Sequence, residues 1–178
     1  MPVFRVAARS DVAGVVRLVE SAYRGEASRA GWTTEADLLA GQRTDRAEIE
    51  ALLDDPEAWL LLALEADQLV GCVLVRAQAN GAAHIGLFAV SPSLQAKGLG
   101  RALLAEAERV AQKEAGAVRA KMTVIEQRPE LIEWYRRRGY HVTGETEPFP
   151  YGNARFGLPL RDDLRFSVLE KSLVGPEP

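Results

Sequence analysis

Seven consecutive residues, Gln95-Ala96-Lys97-Gly98-Leu99-Gly100-Arg101, have types and spacing suited to holding an anion. Gly98 and Gly100 let the backbone turn tightly and present its N–H groups without a Cβ in the way. The amphipathic stretch that begins at Leu99 predicts a helix whose positive end faces the loop. Lys97 and Arg101 add formal charge at the same place. The expected guest is a pyrophosphate. Neither the GxGxxG dinucleotide fingerprint nor the GxxxxGK[ST] nucleotide loop fits these glycine spacings. The blander reading is a surface strand–turn–helix connection in which the glycines only make the turn.

The elements that must position this loop follow from hydrophobic patterning. The apolar run Ile85 to Val90 reads as a buried strand that stops at Ser91-Pro92, where proline lacks a donor. Leu99, Leu103, Leu104, Ala107, Val110 and Ala111 recur at helical spacing and predict a helix to about Glu114, closed by Gly116. Upstream, Val3 to Ala7 reads as a strand, Ser10 as the cap of a helix to about Tyr23, and Asp45 to Leu53 as a second helix. Trp59–Glu65 and Leu69–Ala77 read as strands joined at Ala66-Asp67-Gln68, and Asn80-Gly81 as a turn into the strand ending at Val90. Downstream come a strand from Ala117 to Ile125, a short helix from Pro129 to Arg138, and closing strands at Tyr140–Thr143 and Leu164–Glu170. This order predicts one α/β domain, residues 1–178, with a mixed sheet.

Composition bounds the partners. The chain has 178 residues, 47% hydrophobic and 26% charged, enough for one full core. A net charge of −3 argues against a general nucleic-acid binder. One cysteine, Cys72, excludes an intrachain disulfide and fits a cytoplasmic setting; its apolar neighbours predict a buried thiol. Two scattered histidines and that cysteine form no metal-ligand set. The N-terminus shows no signal peptide and no apolar run is long enough to span a membrane, so a soluble protein is expected.

Gln95-Ala96-Lys97-Gly98-Leu99-Gly100 resembles the Gln/Arg-x-x-Gly-x-Gly/Ala signature of the GCN5-related N-acetyltransferases (GNAT). Glu130-Leu131-Ile132-Glu133-Trp134-Tyr135-Arg136-Arg137-Arg138-Gly139-Tyr140 resembles the same family's helix-then-Tyr-x-x-x-Gly-Phe/Tyr segment. The resemblance covers nearly the whole chain and implies the acyl-CoA N-acyltransferase fold, with a mainly antiparallel sheet flanked by helices. It implies acetyl-CoA as cofactor, its pyrophosphate on residues 95–101 and its pantetheine arm along Phe88, Ala89 and Val90, where the strand bulges and splays. It also implies Tyr135 as the acid that protonates the departing thiolate, and a backbone N–H near Ala89 or Val90 that polarises the acetyl carbonyl. The alternative for Tyr135 is packing against Leu131 on the buried helix face.

Where many members of the family carry a cofactor-contacting asparagine, seven residues before the tyrosine, this chain has Arg128. That arginine either reaches the phosphates instead or leaves the contact unmade. Within Arg136–Arg138 a reach to the 3′-phosphate competes with an ordinary solvated face. Glu126 and His84 are candidate bases for the acceptor ammonium. Tyr23, Glu26, Trp32 and Phe149 are candidate acceptor residues, with Glu35 and Tyr151 beside them. The implied acceptor is a small-molecule amine. The alternatives are a protein N-terminus or lysine, or no acceptor at all in a non-catalytic acetyl-CoA sensor. Members of the family are often homodimers, though no residue pattern here specifies an interface.

Overall fold

A computed structural model describes residues 1–175. In chain order its elements are β1 (Val3–Val6), α1 (Val12–Tyr23), β2 (Leu39–Ala40), α2 (Arg46–Asp54), β3 (Ala58–Glu65), β4 (Gln68–Ala77), β5 (Ala82–Val90) and α3 (Leu99–Lys113). There follow β6 (Arg119–Ile125), α4 (Pro129–Arg136), β7 (His141–Pro148), β8 (Leu158–Pro159) and β9 (Arg165–Ser172). Seven strands form one sheet in the order β1-β3-β4-β5-β6-β9-β7. Every neighbouring pair is antiparallel except β5 and β6, which run parallel because α3 carries the chain across between them. Among the described residues no helix is long and apolar enough to cross a membrane.

The sheet is buried on both faces, which explains the unbroken apolar runs in β3 and β4. Successive side chains point to opposite faces. Thus Leu61, Ala63, Val73 and Val75 pack with α3 and α4, whereas Leu60, Leu62, Cys72 and Leu74 pack with α1 and α2. All six predicted apolar residues of α3 are buried. Cys72 is a core thiol, and burial pushes its pKa up to about 12. The β3–β4 turn is tighter than its sequence suggests. Ala66 and Asp67, both at positive φ, form the two-residue loop, and Gln68 already belongs to β4.

Two expectations need correction, and a third feature carries no sequence expectation. Ser10 does not cap α1: a 3-10 turn over Arg9–Asp11 precedes the helix. There the Asp11 carboxylate accepts the Ala8 N–H at 2.7 Å and pairs with Arg5, since an ionised acceptor outcompetes a hydroxyl. The second correction concerns β7, which continues well past Thr143 to Pro148; proline is tolerated because this is an edge strand. Third, the irregular segments near residues 40 and 158 pair through β2 and β8, with Leu39 opposite Pro159 and Ala40 opposite Leu158.

Leu103 is fully buried where α3 crosses β4, and a Cβ on Gly71 would lie 3.1 Å from it. Leu103→Ala is expected to lower unfolding stability by about 2–5 kcal/mol, through lost burial plus the cavity left behind. Urea unfolding should show a lower midpoint with an unchanged slope.

Candidate functional site

The site begins at a fault in the sheet. Cys72 pairs with Ala89 and Leu74 with Gly86, so Leu87 and Phe88 stand opposite the single residue Val73. Leu87 adopts φ 46°, a conformation a branched side chain accepts only under constraint from its surroundings. This β-bulge re-aims the end of β5. Pairing between β5 and β6 covers only Ala82–His84 against Arg119–Lys121; beyond that the parallel strands part. The freed Phe88 carbonyl accepts the Tyr23 hydroxyl, and the Val90 carbonyl accepts Gln95 Nε2 at 3.1 Å.

Beside the opening lies a cavity of about 310 Å3. Its lining includes Phe88, Val90, Gln95, Ala96, Gly98, Gly100 and Arg101. Gly98 sits at φ 87° as the N-cap of α3, with nothing within 4 Å of a Cβ built there. Among the described residues the N–H groups of Ala96 to Arg101 have no partner, backbone or side chain. A helix N-terminus carrying six unsatisfied donors fits a pyrophosphate. Three predicted residues behave otherwise. Lys97 is exposed and outside the lining, Leu99 turns into the core, and Ala89 is buried in the ladder opposite Cys72. The Gln95 side chain clamps the segment before β2. It donates to Thr33 Oγ1 at 2.7 Å and accepts the Thr33 N–H at 3.1 Å.

Trp134 was not among the sequence candidates. Its ring lies 6.2 Å from Trp32, 6.0 Å from Phe88 and 5.0 Å edge-on from Tyr135. The Arg138 guanidinium stacks 3.5 Å from its centroid, a cation–π contact. An aromatic beside Tyr135 on a short amphipathic helix was the available signal, and it reads equally well as core. A basic groove continues past this stack, lined by Arg101, Arg137, Arg138 and Lys171 around Glu108. Arg136 instead pairs with Glu133 at 2.8 Å.

A second cavity, of about 620 Å3, lies on the opposite side of the bulge and shares Tyr23, Phe88 and Leu131 with the first. Tyr135, His84, Phe149, Arg24, Glu35 and Arg43 line it. Tyr135 is buried, its ring edge-on to Tyr140 at 5.8 Å, and burial raises its pKa so that the phenol stays protonated. Burial lowers the His84 pKa, and Arg76 and Arg43 lower it further, so at neutral pH the imidazole is uncharged.

Five candidates are placed elsewhere. Glu26 projects into solvent, pairs with Arg29 at 3.3 Å and lines neither cavity. Glu126 is bound by the Arg165 guanidinium outside both cavities, and that hydrogen bond holds its carboxyl below the usual range, which removes it as a base. Trp32 faces the first cavity rather than the second. Tyr151 ties its own loop together, donating to the Arg161 carbonyl at 2.9 Å and accepting the Leu164 N–H at 2.8 Å. Arg128 does not reach the first cavity: it is 2% exposed, between Glu35 at 3.6 Å and Glu130 at 3.4 Å.

No curated protein matches the sequence. The fold matches yncA, described as an acetyltransferase from Salmonella typhimurium solved with its cofactor acetyl-CoA, at a TM-score of 0.69 and 18% identity over 100% of this chain and 97% of that one. It matches the ribosomal-protein-S18-alanine N-acetyltransferase of Escherichia coli at 0.72 and 12% identity, over 99% and 97%. Nourseothricin acetyltransferase matches at 0.57 and 24% identity, over 67% and 68%. At these identities the likeness is one of fold. The model of the acetyltransferase (GNAT) family matches residues 15–140, and the chain therefore belongs to that family, whose co-substrate is acetyl-CoA.

Proposed function

We propose that this protein transfers the acetyl group of acetyl-CoA to a primary amine of a small molecule by direct attack. The observation that carries this reading is the meeting of two cavities at the β5 bulge, over the shared residues Tyr23, Phe88 and Leu131. One cavity has the unsatisfied N–H groups of the α3 N-terminus, and the other has Tyr135 and His84. The wall that Phe149 and Pro148 form on the second cavity, beside the β2–β8 pairing, favours a small acceptor over a protein chain, which needs an open groove along its whole length.

Bound acetyl-CoA supplies an activated thioester. The N–H groups of Ala96 to Arg101 hold its pyrophosphate, and Arg101, Arg137, Arg138 and Lys171 offer charge to its remaining phosphate. The bulged backbone at Phe88–Val90 bonds the amide arm as an added strand would, with Gln95 releasing the Val90 carbonyl. Tyr135 gives its proton to the leaving thiolate. Burial keeps that phenol protonated until the thiolate departs, and the second proton lost by the acceptor nitrogen restores it. His84, neutral and facing the second cavity, takes the proton released by the acceptor ammonium.

Tyr135→Phe is expected to lower kcat by about 10²-fold while leaving acetyl-CoA affinity nearly unchanged, as measured by steady-state kinetics and calorimetry on one preparation. Gly98→Val forces a branched residue to a left-handed φ at a cost of about 1–2 kcal/mol. Acetyl-CoA should then bind roughly tenfold more weakly, and Tm should fall by about 2–8 °C. A wild-type protein that does not bind acetyl-CoA would sink this function.

His84 yields a pH prediction. Its folded pKa lies below the unfolded value, so the unfolded chain holds more protons in acid and stability falls as pH drops below about 6.5. Imidazole NMR should place the His84 midpoint below 6.5, assigned by comparison with His141→Gln. His84→Gln should lose less stability than wild type between pH 7 and pH 5.

A further inference from the structure

The second cavity has Arg24 and Arg43 grouped around Glu35, with Glu48 and Glu147 elsewhere on its lining. Arg24, 5% exposed, pairs with Glu35, and its Nη2 lies 3.5 Å from the Phe156 carbonyl. Behind Glu35 stands Arg128, whose Nη1 and Nη2 are buried without a hydrogen-bond partner; the same holds for Arg24 Nε. Two buried guanidinium groups thus share the largely buried Glu35 carboxylate, and Arg128 has only the half-exposed Glu130 besides, at 3.4 Å. Arg43 faces the same space, 6.0 Å from the Tyr23 ring centroid, and among the described residues it has no acidic partner within ion-pair distance. Buried cations without matching anions or acceptors are costly, and folded proteins keep them where a ligand completes the set.

We propose that the acceptor amine also carries an anionic oxyacid group, a carboxylate or phosphonate, which seats against Arg43 and Arg24 while its amine faces Tyr135 and the bulge. The inference rests on the transferase reading, because it assigns the second cavity to the acceptor. Glu35 is then not the ammonium's partner: Arg24 and Arg128 already occupy it. A polyamine places a cation against Arg24 and Arg43 whichever end enters, whereas a zwitterionic amine sets its anion there and leaves its ammonium to the Glu48 and Glu147 part of the lining, beside the neutral His84 imidazole. Arg43 is a specificity-determining residue in this arrangement.

The test is calorimetric titration, with and without saturating coenzyme A. The probes are the common L-amino acids as free acids and as carboxamides, aminoalkylphosphonates of two to five carbons, and spermidine. The expected result is at least one acid or phosphonate bound tenfold or more tightly than its neutral counterpart, with spermidine weakest. Arg43→Gln should erase the contrast and Arg43→Lys should restore part of it, both with unchanged acetyl-CoA affinity. Acetylation assays on the same samples should give the same order. Converting an acid to its amide lowers the amine pKa and so favours the amide kinetically, which biases that assay against the expectation. Carboxamides or spermidine bound as tightly as the acids would overturn the anionic acceptor and leave the transferase standing, as would absence of binding by every anionic probe. An acid bound through Arg43 but never acetylated, or a protein that does not bind coenzyme A, would remove the transferase and leave the anion site standing.

Discussion

One extra residue in β5, at the bulge of Leu87 and Phe88, organises this molecule. Because Leu87 and Phe88 together face Val73, the end of β5 bends away from the ladder it shares with β4. It then cannot follow β6, and the parallel pair opens after His84. Polar backbone exposed by such an opening must find partners. Tyr23 from α1 and Gln95 from the loop supply them at Phe88 and Val90. The left-handed Leu87 persists because packing on both faces surrounds it: it is buried with α1 and α2, while its neighbour Phe88 meets Trp134 and Tyr135 on the other side. Both cavities open from this one irregularity.

The two cavities have different electrostatic origins. The first draws on oriented backbone: six N–H groups at the start of α3, each free because no preceding turn exists to accept it. That arrangement carries partial charge without a desolvated side chain, and so costs the fold little. The second draws on formal charge held in the interior by Arg24, Glu35 and Arg128, with Arg43 beside them. Formal charges there are tolerable only as a linked set, which ties the segment before β2, the start of α4 and the loop after β7 into one unit. The β2–β8 pairing closes the same loops over the cavity. Gln95 joins the two regions, since its amide holds both Val90 and Thr33.

How much of this was legible in the chain varies with the range of the interaction. Periodicity marked α3 correctly residue by residue, because burial of one helix face leaves a 3.6-residue trace. The Gly98 loop was legible for a similar reason: a left-handed N-cap and a close anion approach both demand glycine locally. Glu26 and Glu35, nine residues apart, looked equally suited to an ammonium. Only the turn at Gly25, which throws Glu26 outward, and the buried Arg24 that captures Glu35 separate them. Trp134 and Tyr135 were neighbours on one helix, and nothing in their types said which would line the first cavity and which the second.

By itself the sequence determined the layered α/β order, the strand–loop–helix turn at Gly98 and the family signature, since each depends on residues within one or two turns of each other. Tertiary structure decided the rest. Which arginines are buried, which carboxylate they share and which aromatic rings stack are set by contacts between segments up to 132 residues apart, such as Arg24 with Phe156. No short-range pattern records such contacts, because the energy that selects them, satisfaction of buried charge in a desolvated space, exists only once the core has closed.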